Sequence, residues 1–445
     1  MMYRKLLFVL IAYLASLPIV RTDAQTLMTI DQCVRVALEQ DLQRQIADLQ
    51  WQITGLNHHG SVAGRYPNVS LNTVSQGNLN DQNNPASFLN GLIRSGNANI
   101  SLDATWLVFN GFRVRYNLKQ LGALEGQARA RLDQAGLQTV RRVMLAYLNL
   151  EWQQAQSELA REVLRLSQDL LSYQELRREL GQALTQQVLQ SRDAVWNDSS
   201  NVVTLSLNTT LAMNALKLAM GVPSMEDVSV GGTLTLPSQV WDRGALRQQM
   251  LTQNPQIQEA VLGEQAAAFQ TRMTQAAYLP SFGMNAGAVL SGNITGLDGQ
   301  NPFTGEPFGT QTGSNRNLYF GITGSWPIYD GGLRRRQVAV SRLQEQIATL
   351  SRQSLTDQLQ TQLDDLLAGY ETLLVNLAIQ DEQVANARQN LTVAEEKFRL
   401  GQLSVFDLRT VQLNYAQAAQ RRITTVYQLR VQEVEILSLS GQLAG

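Results

Sequence analysis

The chain has 445 residues, a formal net charge of −1 and only 16% charged residues, which gives no basic patch of the kind that binds nucleic acid. Its 1 cysteine excludes an intrachain disulfide framework, and we expect Cys33 to be an ordinary helix residue. His58 and His59 are adjacent, so on a helix they point in different directions and cannot chelate a metal together. No nucleophile, base and orienting group can be assembled, so we expect no enzyme activity, no catalytic residue and no cofactor.

The first residues carry a targeting signal. Arg4 and Lys5 precede an apolar run over 6–20, and small residues at 22–24 suit a cleavage site, so a signal peptide is predicted over 1–24. The apolar run is shorter than the roughly 20 residues of a transmembrane helix, and no later run reaches that length. If the exported chain enters a membrane, only a β-barrel would satisfy its backbone groups there.

The sequence repeats itself. Trp, Gly and Pro landmarks recur at two closely similar spacings, which predicts two copies of one unit, over 25–221 and 246–445, joined by a linker over 222–245. In the opening part of the unit the spacing is 213, between Pro67 and Pro280. Three pairs of residues lie 220 positions apart: Trp106 and Trp326, Gly181 and Gly401, and Gly221 and Gly441.

Each unit has the same predicted order of elements, because alternating segments are flanked by long segments of helical periodicity. The first has a helix over 29–65, a strand hairpin over 67–109, a long helix over 111–180, a tip at 181 and a return helix over 182–221. The second has a helix over 246–277, a strand hairpin over 280–328, a long helix over 332–400, a tip at 401 and a return helix over 402–440. Apolar residues at spacings of three and four predict a coiled-coil seam along the long helices.

The four predicted strands alternate polar and apolar residues, as porin strands do with a polar lumen and an apolar outer face. A soluble antiparallel sheet with one face on a core alternates identically and remains the alternative. Four strands cannot close a barrel, because even small closed barrels take about 8, so a membrane sheet would require several copies. The residues predicted to face a water-filled lumen are Asn99, Ser101, Asp103, Thr105, Tyr319, Thr323 and Ser325.

The strand-to-helix junction is the most prominent repeated motif. It comprises Trp106, Asn110 and Gly111 in the first unit and Trp326, Pro327, Asp330, Gly331 and Gly332 in the second. The tryptophans are expected at a membrane interface, where an amphipathic indole is favoured. Because Phe112 replaces the second glycine, we expect the two junctions to bend differently. Arg334 to Arg336 are predicted either to meet lipid headgroups or to form a solvated helix start.

These features together resemble the TolC family of outer-membrane efflux proteins. The resemblance covers 29–441 and rests on the duplicated order of elements, on the junction at 327–332 with its partner at 108–111, and on Arg-Leu-Gly-Gln-Leu-Ser at 399–404. It implies an α+β membrane protein in which a homotrimer forms a twelve-stranded barrel in outer-membrane lipid of a Gram-negative bacterium. The long coiled-coil helical hairpins would form a periplasmic α-tunnel.

The resemblance also implies that the tips dock a periplasmic adaptor protein. The residues that match are Arg399, Leu400, Gly401 and Ser404 at the second tip and, more loosely, Arg178, Gly181 and Thr185 at the first. The alternative is structural: Gly permits a tight turn, and Ser or Thr caps the next helix. Asp407 matches an acidic ring that narrows the periplasmic entrance, or is a solvated helix residue.

The predicted function is an outer-membrane channel of a tripartite efflux or type I secretion system. It would passively conduct substrates delivered by the adaptor and an inner-membrane pump of the RND, ABC or MFS type. The alternative is a periplasmic coiled-coil scaffold without a pore.

Overall fold

The structure is a computed structural model, and it describes residues 27–83, 91–224, 229–231, 241–300 and 303–443. The predicted signal peptide therefore lies outside the described residues, as do parts of the two inter-strand loops and of the linker.

Eight α-helices, one short 3-10 helix (Ala276–Tyr278) and six strands are assigned in the described part of the chain. The helices are α1 (Ile30–Gln40), α2 (Leu42–Asn57), α3 (Arg113–Glu179), α4 (Thr185–Ala219), α5 (Arg243–Gln253), α6 (Pro255–Gln275), α7 (Leu333–Arg399) and α8 (Val405–Ser440). The strands are β1 (Leu27–Met28), β2 (Asn68–Gln82), β3 (Gly91–Asn110), β4 (Ser229–Val230), β5 (Ser281–Gln300) and β6 (Pro307–Ser325).

The chain divides into two compact units. The sheet unit comprises the described residues of Ile46–Asp133 and Pro255–Gln358, and the helical unit comprises the described residues of the remaining three segments, up to Gln45, Gln134–Asn254 and from Leu359 onward. Within the described residues, no helix has both the length and the apolar character that a membrane crossing requires.

The long strands form one antiparallel sheet in the order β2-β3-β5-β6. Its register places Leu71, Leu102, Ala288 and Leu318 in one row across the sheet. The next row holds Ser70, Asp103, Gly287 and Tyr319. The polar and apolar faces that the alternation predicts are therefore separate, and the predicted two-hairpin sheet is confirmed.

The prediction of one continuous first helix is wrong, because the helix is broken at Asp41. The chain leaves the helical region at Asp41, where ψ is 113°, so α1 and α2 replace one helix over 29–65. The carboxylate of Asp41 accepts from Gln43 N at 2.9 Å, from Arg142 at 2.6 Å, and from the Thr139 hydroxyl. Asp competes with the helical backbone for such hydrogen bonds, which favours a break.

The second predicted helix, over 246–277, is interrupted at the equivalent position. Asn254 ends α5 with ψ of 120°, and Pro255 begins α6. A proline disfavours the helical conformation of the residue before it, which explains the break. The buried Asn254 side chain donates to Leu439 O at 3.0 Å.

The core of the helical unit surrounds α1. Thr29 caps this helix and exchanges hydrogen bonds with Gln32 in a capping box. Cys33 is fully buried, and burial raises the pKa of its thiol to about 11. The other buried residues of this cluster are Met28, Ala37, Val143, Tyr147, Leu150, Ala212, Leu216, Ala219 and Met220.

The seam predicted along the second long helix is buried in the helical unit. Its buried members are Leu359, Leu363, Tyr370, Leu377, Leu391, Ala394 and Phe398. The regular spacing of these residues over the helix matches the three and four pattern of coiled coils.

Candidate functional site

The polar face of the sheet is organised around Asp103. Its carboxylate accepts from Ser101 Oγ at 2.6 Å, from Asn72 Nδ2 at 3.0 Å, and from the Tyr319 hydroxyl. Tyr319 reaches it across β5 because Gly287 lies between them: a Cβ at Gly287 would be 2.6 Å from the Tyr319 hydroxyl oxygen. Asn72 and Gly287 were not among the predicted lumen residues.

All the residues predicted to face a lumen lie on this polar face. They are Asn99, Ser101, Asp103, Thr105, Tyr319, Thr323 and Ser325. The opposite face exposes large apolar side chains, among them Leu71, Leu102, Leu318, Phe320 and Ile322. One sheet thus presents a polar surface on one side and an apolar surface on the other.

The two junctions cap the long helices in the same way. Asn110 Oδ1 accepts from Val114 N at 3.2 Å, and Asp330 Oδ2 accepts from Arg334 N at 3.0 Å. Asp330 also accepts from the Arg334 side chain at 2.7 Å and from Gly332 N at 3.2 Å. The Arg334 side chain, with these backbone donors, lowers the pKa of Asp330.

The junction tryptophans are held to the chain just before each hairpin. The Trp106 indole nitrogen donates to Arg65 O at 3.0 Å, and that of Trp326 donates to Tyr278 O at 3.1 Å. The two acceptors are 213 positions apart, so this contact is repeated in both copies. Each of these hydrogen bonds therefore connects the residues just before a strand pair to the end of the same pair.

The prediction that the two junctions bend differently is wrong for the backbone conformation of the two residues at each turn. Gly111 and Phe112 have φ of 66° and 68°, and Gly331 and Gly332 have φ of 68° and 81°. Both pairs are therefore left-handed, although Phe112 carries a Cβ. Its ring packs edge-on against Phe109 with centroids 5.3 Å apart, a contact that offsets part of the strain.

The lipid-headgroup interpretation is wrong for Arg334, which is mostly buried beside Asp330. Its guanidinium also donates to Ala277 O at 3.3 Å and lies 5.4 Å from the Tyr278 ring centroid. Arg335 and Arg336 are exposed.

Both helical tips have the same backbone design. Gly181 has φ of 75° and donates to Arg178 O, while Gln182 N donates to Arg177 O at 2.8 Å. Gly401 has φ of 72°, and the equivalent bonds run to Phe398 O and Lys397 O. This is the Schellman motif, which explains why glycine stands at each tip.

The structural interpretation of the tip hydroxyls holds at one tip only. Ser404 caps α8, since its Oγ accepts from Asp407 N at 3.1 Å and donates to Asp407 Oδ2 at 2.7 Å. At the first tip the capping position is Leu184, and Thr185 is the exposed first residue of α4. Asp407 is exposed and bonded to Ser404, so its contacts stabilise the start of a helix.

Both tips expose large apolar side chains, of which the motif singled out only Leu400. Leu180 and Leu184 flank the first glycine, and Leu400 and Phe406 flank the second. The predicted Arg178 and Arg399 are exposed beside them. Large apolar residues in a turn between two helices were the signal available in the sequence.

A polar network near the second tip was also missed. Arg409 on α8 donates to Asp198 on α4 at 2.8 Å and to Ser167 Oγ on α3 at 2.7 Å, and Ser167 Oγ donates to Asp198. Ser167 and Asp198 are buried. The network joins three helices by charge-assisted hydrogen bonds and fixes their order at this level.

The duplicated helix–hairpin–helix unit matches a known family. The family model described as outer membrane efflux protein matches residues 61–222 and 246–442, most of the chain and both copies of the unit. The chain belongs to the outer membrane efflux protein family.

The family relatives are distant in sequence but match over long segments. The cation efflux system protein CusC of Escherichia coli O157:H7 is 22% identical over 426 residues, which is 91% of this chain and 84% of the relative. The toluene efflux pump outer membrane protein TtgF of Pseudomonas putida is 27% identical over 338 residues, 65% of this chain and 66% of the relative. A crystal structure of CusC has a TM-score of 0.76 and 18% identity, and the match covers 93% of this chain and 92% of that one.

The predicted resemblance, fold, outer-membrane location and efflux function are therefore confirmed. This efflux protein is a transport protein of the outer membrane. The roles of the individual site residues stay predictions.

Proposed function

We propose that this efflux protein is the passive outer-membrane channel of a tripartite exporter and that three copies of the chain close the channel. The observation that carries the proposal is the four-stranded sheet, which exposes an apolar face and a polar face at once. In the described part of the chain, β2 and β6 each pair on one side only. A sheet with two unpaired edges and two solvent-facing sides becomes stable in lipid when further copies complete a closed barrel.

The polar face would line the conducting lumen. Among the described residues this face carries hydroxyls, amides and one carboxylate, that of Asp103, which accepts hydrogen bonds from Ser101, Asn72 and Tyr319. In a threefold assembly the three carboxylates would attract cations more than anions. Because the rest of the described polar face is uncharged, we expect that preference to be mild.

The two tips would dock a periplasmic adaptor that connects the channel to an inner-membrane pump. What supports this is the exposure of Arg178 and Arg399 beside the apolar Leu180, Leu400 and Phe406. Arginine and large apolar side chains are enriched where proteins bind one another. The adaptor and pump, of the RND, ABC or MFS type, would select the substrate.

A fractionation experiment separates the channel from the periplasmic scaffold. The channel should sediment with the outer membrane, require detergent for extraction, and migrate as a trimer in unheated samples and as a monomer after boiling. A monomer in the soluble periplasmic fraction would contradict the proposal and favour the scaffold.

A further inference from the structure

Two exposed apolar stripes in the sheet unit are unexplained by the contacts within the chain. The α2 stripe consists of Ile46, Leu49, Ile53 and Leu56, with exposed fractions from 47% at Ile46 to 78% at Leu56. The α7 stripe consists of Val340, Leu343, Ile347 and Leu350, with exposed fractions from 53% at Val340 to 64% at Leu350. Both follow the three and four spacing of a helix–helix seam.

Comparison of the two repeats shows that one face of α2 packs against the long helix that follows it. In the first copy α2 packs on α3, with His58 bonded to Glu125 and Arg129 4.9 Å from the Trp51 ring centroid. In the second copy α6 packs on α7 through Glu264, which accepts from Arg352 at 2.6 Å and from Thr349 at 2.7 Å. Trp51 and Glu264 lie 213 positions apart, and Arg129 and Thr349 lie 220 apart, so these two contacts are equivalent.

The second face of α6 has a partner within the chain. Leu262 packs on Gly126, where a Cβ would be 3.2 Å from a Leu262 methyl carbon. On one side of this contact Arg131 donates to Glu259 at 2.7 Å, and on the other Gln120 donates to Gln270 at 3.2 Å. These pairs define an antiparallel packing of α6 against α3.

The two repeat spacings show how α2 and α7 would pack if they repeated the packing of α6 on α3. Moving α6 back by 213 gives α2, and moving α3 forward by 220 gives α7. The Glu259–Arg131 pair then becomes Ile46 beside Ser351, and the Gln270–Gln120 pair becomes Asn57 beside Val340. Between these ends the Leu262–Gly126 contact becomes Leu49 beside Gln346. To within one position, the two stripes are therefore in register: Ile46 faces Leu350, Leu49 faces Ile347, Ile53 faces Leu343, and Leu56 faces Val340.

We infer that the α2 stripe of one copy packs on the α7 stripe of the next copy, in the geometry that α6 and α3 adopt within a chain. The inference rests on the proposed trimer and gives it a residue-level interface. The contact joins different surfaces of the two copies, so its repetition produces a ring when the rotation closes. Polar and small residues on the internal α3 surface, such as Gln127 and Ala130, are replaced by Ile347 and Leu350 at the surface between copies.

Disulfide cross-linking tests the predicted register. Cys33 is fully buried and can stay, so the introduced thiols are the reactive ones. Leu49→Cys with Ile347→Cys should, on oxidation of the trimer in detergent, give covalent dimers and trimers on a denaturing gel without reductant, and monomers with it. The matched control, Leu49→Cys with Val340→Cys, displaces one thiol by two helical turns, about 10 Å, and should give no cross-link.

A charge exchange tests the same contact without disulfides. Ile53→Glu or Leu343→Lys alone should lower the trimer fraction at least about tenfold, because each buries an unpaired charge. The two together should restore most of the trimer. An intact, conducting trimer in which residues 49 and 347 never cross-link, or link no better than the control pair, would overturn this interface and leave the channel proposal standing. A chain that is monomeric in the outer-membrane extract would overturn both.

Discussion

At the scale of single residues, two glycines at equivalent positions of the junctions have different surroundings. Gly111 and Gly331 are both left-handed, but a Cβ on Gly111 would be 2.4 Å from Ala276 O, whereas nothing lies within 4 Å of a Cβ on Gly331. Gly331→Ala should therefore cost only the conformational penalty, about 1–2 kcal/mol. Gly111→Ala must also displace backbone and should cost at least about 2 kcal/mol more.

Thermal or denaturant unfolding of the two variants in the same detergent measures this difference. Gly331→Ala is the matched control, because it changes the same residue type at the same φ. Equal destabilisation by both substitutions would show that the close approach at Gly111 is not a determinant of stability.

Asp41, at the break between α1 and α2, should make the stability depend on pH. Burial alone would raise the pKa of Asp41, but hydrogen bonds from Thr139, Gln43 N and Arg142 outweigh it and lower the pKa. A lowered pKa in the folded state means that the carboxylate stabilises the fold above its ordinary pKa. That stabilisation is lost as the pH falls through the folded-state pKa.

Asp41→Asn should therefore lower the unfolding free energy at about pH 7 by roughly 1.5–3 kcal/mol, the range for hydrogen bonds to charged groups. The gap between wild type and variant should begin to narrow as the pH falls below the ordinary pKa of aspartate, and it should close below the lowered folded-state pKa. Unfolding curves from about pH 7 to about pH 3 measure the gap. Asp48→Asn on the partly exposed surface of α2 controls for the loss of one negative charge. A gap that stays constant with pH would contradict the assignment.

The alternation of strand residues was enough to predict which residues share a face with Asp103. It could not predict that Tyr319 bonds to Asp103, because that contact depends on the register of three strands. It also depends on Gly287, whose missing side chain leaves room for the tyrosine ring. Register between distant strands is set by the whole sheet and is not encoded in any one segment.

At the scale of elements, the long helices and their glycine ends could be predicted, because apolar spacing and Gly at the end of a helix are local signals. The breaks at Asp41 and Asn254 were missed. Asp41 is stabilised in its extended conformation by Thr139 and Arg142, which lie about 100 positions later in the sequence. Asn254-Pro255 carried a local signal, since a residue before proline disfavours the helix.

The second tip should be a docking element for the adaptor. Arg399→Glu combined with Gly401→Leu reverses the exposed charge and adds bulk at the turn, so it should abolish export while the trimer remains assembled. Export is measured as efflux of a fluorescent dye from cells that carry the complete exporter, and assembly as trimer migration without heating.

The equivalent pair at the first tip, Arg178→Glu with Gly181→Leu, is the matched comparison. Gly181 and Gly401 have φ of 75° and 72°, and a Cβ added to either would have no atom within 4 Å, so the backbone strain is alike. The first-tip pair should impair export less, because that tip matches the docking motif only loosely. Full export by the second-tip variant would show that the docking assignment is wrong.

At the scale of the whole molecule, the duplication explains most of what is seen. The repeated indole contacts of Trp106 and Trp326, the paired caps at Asn110 and Asp330, and the Schellman ends recur at the two spacings. The copies differ where the surfaces differ: α6 is packed on two sides, and α2 exposes one apolar stripe. A sequence repeat predicts shared backbone structure. Only the structure shows that a second side of α6 is covered by α3, whereas the apolar stripe of α2 is exposed.

Conductance across a planar lipid bilayer tests the central claim most directly. Trimers extracted from the outer membrane and added to one side of the bilayer should insert and give discrete, uniform conductance steps with a mild preference for cations. The same preparation after boiling to monomers should give none. A folded trimer that inserts into liposomes but never conducts ions would contradict the account, because a closed sheet with the polar face of Asp103 inside must enclose a water-filled path.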